Sequence, residues 1–242
     1  MGTDDMSEWA KKRFWKTTSI TRGEGGFGVE LDGRALKTPA KASLTLPSEG
    51  FAEAVRAEWD AIEEKIDPTK MPYTRTANAA IDKVAVQHAE VADMIADYAG
   101  TDLLCYRAES PEELRARQDA AWDPLLAWAR ETYGARLEVT SGVMHLAQSE
   151  AALAPLRRRV HEASNFELAA LHDLVSLSGS LVIGLAATQQ VQPDDALWAV
   201  SRIDETWQEE QWGEDEEASA QAEIKRQAFL HAASVWRLSR AE

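Results

Sequence analysis

Carboxylates crowd into one short stretch near the end of the chain, where their number and spacing could support chemistry. The fifteen residues DETWQEEQWGEDEEA, Asp204–Ala218, hold eight carboxylates and two tryptophans. Carboxylates in such numbers can ligate a metal, work as an acid and base pair, or face water. The tryptophans do not suit a purely solvated surface, because large aromatic side chains usually end up in a core or an interface.

A helix that begins at Pro193-Asp194 is expected to position this stretch. On a wheel that advances about 100° per residue, the face expected to be core carries Ala196, Val200, Ile203 and Trp207. The opposite side carries Trp198, Arg202, Glu205, Glu209 and Trp212. A tryptophan exposed beside carboxylates is typical of a docking surface, because buried aromatic anchors dominate the binding energy of interfaces.

Two interpretations of this helix stay open. In the first, a partner-binding surface is formed by Trp198, Glu205, Glu209, Glu210 and Trp212. In the second, the helix lies centrally in a bundle, both tryptophans are buried, and Glu210 and its neighbours pair with arginines such as Arg202 or Arg226. Gly213 ends the helix, and the acidic run Glu214–Glu217 suits the N-terminus of the next one, where the helix dipole favours negative charge.

Other motifs that could support catalysis or metal binding are missing from the sequence. No two of the five histidines are spaced i, i+4. No G-x-S-x-G nucleophile elbow occurs, and Ser178-Gly179-Ser180 is expected inside a helix and not at a strained turn. The glycine-rich Arg22–Gly28 precedes a hairpin signal, so it predicts a turn and not a phosphate-binding loop. The single Cys105 lies in an apolar run and predicts a buried thiol. We therefore expect no metal, no cofactor and no enzymatic activity, although carboxylates on two helices could still converge.

The composition indicates a folded, acidic protein. The chain has 242 residues, a net charge of −15 at pH 7 and 45% hydrophobic residues. Such a chain is repelled by phosphate backbones and anionic membranes, so neither nucleic acid nor a membrane is expected as a partner. The charged N-terminus shows no secretory signal, and the most apolar segment, Leu174–Ala187, is too short to span a bilayer. We expect a soluble, intracellular protein.

The pattern of elements predicts an α+β fold in two domains, residues 1–100 and 101–242. Strands are expected at Phe27–Leu31, Arg34–Lys37 and Ser43–Leu46, with Asp32-Gly33 as a type I′ hairpin turn. A helix follows from Phe51 to Ile66, so the first domain is a β-meander covered by a helix in two layers. From Thr74 onward almost everything reads as helix, including a continuous apolar helix over Phe166–Gln189 and a capping box at Ser110–Glu113.

Several long motifs resemble those of the ATP synthase assembly chaperone family. In chain order they are RFWK, LDGRALKTPAKASLTLP, EWD, IDPTKMPYTRTANAAID, TDLLCYRAESPEEL, WDPLLAW, SGSLVIGLA and SRIDETWQEEQWGEDEEA. They run from Arg13 to Ala218 and so cover nearly the whole chain. One small departure is Ala79, where the family usually has threonine.

The resemblance implies a chaperone without enzymatic activity, with an N-terminal α+β domain and a C-terminal orthogonal helical bundle. It implies binding of the unassembled alpha subunit of the catalytic sector until the beta subunit takes the same surface. We expect the chaperone to be a monomer. It also implies the bacterial cytoplasm, or the mitochondrial matrix for eukaryotic relatives. The alternative from another class is a hydrolase-like enzyme of small molecules whose carboxylates converge at the domain interface.

Overall fold

A three-stranded antiparallel sheet lies near the start of the described residues, which are 12–240 of the computed structural model. Its strands β1 (Thr18–Gly23), β2 (Gly26–Leu31) and β3 (Arg34–Ala35) lie in the order β1-β2-β3. The turn between β2 and β3 has positive φ at Asp32 and Gly33, 49° and 75°, as a type I′ turn requires. The predicted hairpin is therefore confirmed.

The glycine-rich segment joins β1 to β2. Gly23 and Gly26 are the last pair of this hairpin, so the prediction of a turn is confirmed. Gly26 has φ of 134°, and a Cβ atom there would lie 2.3 Å from the carbonyl oxygen of Leu46. Strand β1 is missing from the predicted pattern because its residues are mostly exposed and show no apolar alternation. The strand predicted at Ser43–Leu46 forms only isolated bridges.

Helix α1 (Glu49–Asp60) packs against β1 and β2 and also contacts α2 (Pro72–Asp82). Ser48 caps α1, because its Oγ accepts a hydrogen bond from the backbone N–H of Phe51 at 3.0 Å. Phe51 and Val55 are fully buried. The predicted helix on the sheet is thus present, with a shorter extent than the pattern indicated.

Helix α1 ends before the predicted end at Ile66. The Arg13 guanidinium donates hydrogen bonds to the carbonyl oxygens of Asp60 and Ile62, so these carbonyls have partners outside the helix. Ile66 nevertheless packs, with Trp59 and Leu36, against a buried cluster formed by Trp15, Leu31, Ile62 and Met71. The apolar stripe was assigned correctly to the core, although its last members lie on a loop.

Helices dominate the rest of the chain. The helices are α3 (His88–Ala96), α4 (Glu112–Tyr133), α5 (Glu150–His161), α6 (Asn165–Ser178), α7 (Leu181–Thr188), α8 (Asp194–Val200), α9 (Ile203–Trp212) and α10 (Glu216–Arg240). Two short parallel strands, β4 (Tyr106–Arg107) and β5 (Thr140–Ser141), pair between them. A small N-terminal sheet followed by a helical region confirms the predicted α+β class.

Two predicted features of these helices are wrong. The apolar helix expected over Phe166–Gln189 is two helices, because Gly179 ends α6 with φ of 70° and the Ser180 side chain caps α7. The sequence Ser178-Gly179-Ser180 is therefore a turn between helices. The capping box expected at Ser110–Glu113 does not form, since α4 begins at Glu112 with Pro111 as its N-cap and no side-chain cap.

The chain divides into two packing units. Among the described residues, the first unit holds 12–86 together with 237–240, and the second holds Gln87–Trp236. The predicted domain bounds of 1–100 and 101–242 stay a prediction. None of the helices within residues 12–240 combines the length and hydrophobicity needed to cross a membrane. The N-terminal segment used to assess a secretory signal falls largely outside the described residues.

Candidate partner-docking site

The acidic stretch begins with a break between two helices. A turn at Ser201 and Arg202 separates α8 from α9, so the prediction of one continuous helix from Asp194 to Trp212 is wrong. The Oγ of Ser201 donates to the carbonyl oxygen of Trp198 at 2.7 Å. Trp198 is only 6% exposed and its ring lies 5.8 Å from that of Phe229 in α10. The expectation that Trp198 shares an exposed face with the acidic residues is therefore wrong.

The break also changes which residues of α8 face the core. The buried residues of α8 are Leu197 and Trp198, whereas Ala196 and Val200, which the wheel placed on the core face, are partly exposed. The indole Nε1 of Trp122 in α4 donates to the carbonyl oxygen of Val200 at 2.9 Å. That carbonyl lies at the C-terminal end of α8, where helical carbonyls need outside partners. The contact helps to fix the end of α8 against α4.

Helix α9 contains no buried residue and is attached to α4 by polar contacts. Asp204 accepts a hydrogen bond from the side-chain amide of Gln118 at 2.6 Å, and Gln118 itself is 1% exposed. Arg117 donates to Glu210 at 2.7 Å, and its guanidinium lies 4.7 Å from the ring centroid of Trp207. Trp207 and Glu210 therefore lie on the α4 side of the helix.

The other side of α9 presents a tryptophan next to two carboxylates. Glu205, Glu209 and Trp212 are spaced i, i+4 and i+7 and so share one face. Trp212 is 79% exposed, an unusual environment for so large an apolar side chain. Glu205 accepts a hydrogen bond from Arg202 at 2.7 Å. We call Glu205, Glu209 and Trp212 the α9 docking face.

The acidic character continues into the start of α10. No lysine or arginine occurs from Ile203 to Ile224, while this range holds nine carboxylates. Asp215 caps α10, since its carboxylate accepts from the backbone N–H of Ala218 at 2.9 Å. The other acidic residues from Glu214 to Glu217 are exposed. This part of the protein therefore carries a local excess of negative charge that reaches from α9 into α10.

The Cys105 thiol and the Asp102 carboxyl group are buried, although such groups are often reactive when they are exposed. Burial, together with the nearby Asp102 carboxylate, raises the pKa of the Cys105 thiol to about 12, so it stays protonated at neutral pH. Asp102 is fully buried and accepts hydrogen bonds from the backbone N–H groups of Leu104 and Val182, both at 3.0 Å. Within residues 12–240, no three His, Cys, Asp or Glu side chains are grouped so that they could hold a metal ion.

The five residues predicted for the site thus have three different environments. Trp212 is exposed and shares one side of α9 with the partly exposed Glu205 and Glu209. Glu210 pairs with Arg117 on the α4 side, and Trp198 is buried. The anchoring roles of Arg117 and Gln118 were missed by sequence analysis. They lie on another helix, and nothing in the local pattern of α4 indicates that they reach α9.

Comparison with known proteins gives one consistent family. The family model described as ATP12 chaperone protein matches residues 12–130. The mitochondrial Atp12 protein of Schizosaccharomyces pombe is 24% identical over 219 residues, which cover 86% of this chain and 75% of the yeast protein. These matches agree with the family that the sequence motifs indicated.

Two solved bacterial structures are much more similar. The crystal structure of Atp12 from Paracoccus denitrificans has a TM-score of 0.92 and 48% identity, covering 95% of this chain and 98% of that one. A protein from Agrobacterium tumefaciens has a TM-score of 0.89 and 41% identity, covering 94% and 85% of the two chains. Because similarity at this level extends over nearly the whole length of both chains, the chain belongs to the ATP12 family of ATP synthase assembly chaperones.

Proposed function

We propose that this protein binds the unassembled alpha subunit of the ATP synthase catalytic sector and keeps it soluble until the beta subunit replaces it. The observation that supports this most directly is Trp212, which is 79% exposed on a helix face with Glu205 and Glu209. An exposed tryptophan offers a large apolar contact area, which becomes favourable once a partner covers it. Membership in an assembly chaperone family makes an unassembled subunit the natural partner.

The chemistry of such a client suits the α9 docking face. A subunit that has not met its neighbours exposes the apolar surface that will later be buried between subunits. Basic groups on that surface would be attracted to Glu205 and Glu209 before contact, which raises the association rate and favours the right partner. Trp212 would then supply most of the affinity.

The proposed role needs neither a cofactor nor catalysis by this chain. We propose a monomer that works in the bacterial cytoplasm, in the compartment where subunits are made. The two bacterial relatives suit this setting, and the third relative is a mitochondrial protein. The hydrolase-like alternative requires convergent carboxylates, and no observation on the described residues favours it.

A capture assay with matched variants tests the proposal. Purified protein is immobilised, and binding of the ATP synthase alpha subunit is measured without the beta subunit. Trp212→Ala should weaken binding by about tenfold or more, because central aromatic residues are typical hot spots. Glu205→Gln with Glu209→Gln should slow association. Thermal stability should change little, because these side chains are exposed or partly exposed.

The control is Phe14→Ala, which removes another exposed aromatic side chain, 65% exposed, from the other packing unit. This variant should bind the alpha subunit as the wild type does. Release of captured alpha subunit by added beta subunit would support the exchange step. If the wild-type protein does not bind the alpha subunit, the proposed client is wrong. If it binds but the α9 variants bind equally well, the client is right and the docking face is wrong.

A further inference from the structure

The N-terminal half of α10 has no buried side chain, although it is regular helix. Every buried residue of α10 lies from Phe229 onward. Residues 216–228, which we call the α10 arm, are exposed or only partly exposed. A helical stretch of about this length is marginal in water without a packed face. The arm is held as helix by its continuation into the buried half.

The α10 arm carries an apolar stripe that is exposed at Ala220 and Ile224 and partly buried at Ala228. Ala220, Ile224 and Ala228 recur every four residues and therefore lie one above the other on the helix. Ile224 is 62% exposed. A branched apolar side chain on an otherwise polar, exposed helix is what a helix-packing partner would bury.

The side of the arm that faces away from Ile224 is attached to α8. Arg226 forms an ion pair with Asp195 of α8 at 2.6 Å and another with Glu223 at 3.0 Å. Because Arg226 follows Ile224 by two residues, its side chain points about 200° away around the helix. The ion pair with α8 therefore fixes the arm while leaving Ile224 on the outer side.

Charge decides what kind of partner fits this stripe. The acidic region without lysine or arginine, Ile203–Ile224, extends into the arm, and of the two cations that follow, Lys225 and Arg226, the second is paired with Asp195 and Glu223. A second copy of this chain would bring two such regions together, and like charges oppose that contact. Anionic lipid and nucleic acid are repelled for the same reason. The partner that fits is a protein segment with an apolar face bordered by lysine or arginine.

We propose that the α10 arm is a second docking element, which packs its Ile224 stripe against an apolar segment of the client bordered by basic residues. This inference rests on the proposed function, since the client is the alpha subunit. It adds a contact beyond Trp212, which precedes the arm in the chain by the short connection 213–215. The α9 docking face and the arm together would hold the client through two helices.

The test uses one variant in the arm and one matched variant outside it. Ile224→Asp replaces the exposed apolar side chain by a carboxylate, and we expect it to weaken capture of the alpha subunit by about tenfold or more. Val143→Asp makes the same kind of change at a side chain that is 95% exposed on the loop after β5. This control should bind as the wild type does. Both variants should keep the wild-type melting temperature within a few degrees.

Hydrogen exchange gives a second readout that does not depend on a substitution. In the wild-type protein, amides of residues 216–228 should exchange more slowly once the alpha subunit is bound, because a covered helix opens less often. The inference is overturned if Ile224→Asp binds as tightly as Val143→Asp, or if exchange in the arm is unchanged on binding. If neither the wild type nor the variants bind the alpha subunit, the alpha subunit is not the client, and both proposals are overturned.

Discussion

Two buried polar side chains, Asp102 and Arg107, connect separate segments of the second packing unit. The carboxylate of Asp102 accepts hydrogen bonds from the backbone N–H groups of Leu104 and Val182, and so connects the chain before β4 to the start of α7. The guanidinium of Arg107 is fully buried, pairs with Asp119 at 2.8 Å and Asp123 at 2.6 Å, and lies over the Trp122 ring. Each buried group thus has partners, as burial of charge requires.

Asp102 should make the stability of the protein depend on pH. Burial raises its pKa from 3.8 to about 6, although hydrogen bonds from Ser180 and backbone N–H groups oppose the rise. Between these pH values the folded state therefore holds a proton that the unfolded state has lost. Stability from this group is present below about pH 4 and is lost as the pH rises through 6.

The variant Asp102→Asn tests this dependence, because its unfolding free energy can be compared with that of the wild type at different pH values. Its amide N–H₂ group would face a backbone donor, so the variant should be less stable by about 1–3 kcal/mol or more at low pH. Because the variant lacks the titrating group, the gap in unfolding free energy between wild type and variant should narrow from pH 4 to pH 7. Urea unfolding at both pH values measures the gap. A gap that stays constant or widens would contradict the assigned pKa shift.

The helices show most clearly what the sequence predicts and what it does not. Apolar periodicity identified α1 and the buried character of α7, because each of these helices faces a core. The break between α6 and α7 was not predicted, although Ser178, Gly179 and Ser180 interrupt the apolar run Leu174–Ala187. The start of α7 after this break is also held by Asp102, whose carboxylate accepts a hydrogen bond from the backbone N–H of Val182, 80 residues away in the chain. Sequence periodicity contains no information about such a contact.

The candidate site was predictable to a similar extent. Spacing placed Glu205, Glu209 and Trp212 on one side of a helix, because local helical geometry alone decides which residues share a side. The burial of Trp198 was not predictable, because it depends on Phe229 of α10 and on a turn at Ser201 that ends α8. Tertiary contacts, and not local pattern, separate these two outcomes.

Packing of α1 on the sheet gives a prediction for Trp59. Its ring lies 5.2 Å from the ring of Trp15 and packs against the buried cluster of the first packing unit. Replacing it by arginine would place a charge in an apolar environment without a partner, which costs about 3 kcal/mol or more. Thermal unfolding of Trp59→Arg should show a clearly lower melting temperature. Ala57→Arg, which adds the same charge at an exposed position of α1, should melt close to the wild type.

For the whole molecule, charge should control the rate of client capture more than its lifetime. The net charge is −15, and nine carboxylates lie between Ile203 and Ile224. Steering by such a charge can raise association rates by about tenfold or more and is screened by salt. Association with the alpha subunit should therefore slow as sodium chloride increases from about 50 to 500 mM, where the Debye length shrinks to a few ångström.

Neutralising part of this charge provides the control for that measurement. A variant with Glu205→Gln, Glu209→Gln and Glu214→Gln should associate more slowly at low salt and respond less to added salt. Dissociation should change much less in both proteins, because it depends on the apolar contact. Equal salt dependence of association in wild type and variant would show that this acidic region does not steer the client.

The shallow attachment of α9 has a consequence for natural variation. This helix contributes no buried side chain and touches α4 through Gln118 and Arg117, whereas every residue of α7 is buried. Substitutions in α7 would lower the amount of folded protein in the cell, because proteases remove destabilised chains. Substitutions on the outer side of α9 would leave abundance normal. Lineages could therefore adjust this helix to a changing client without endangering the fold that supports it.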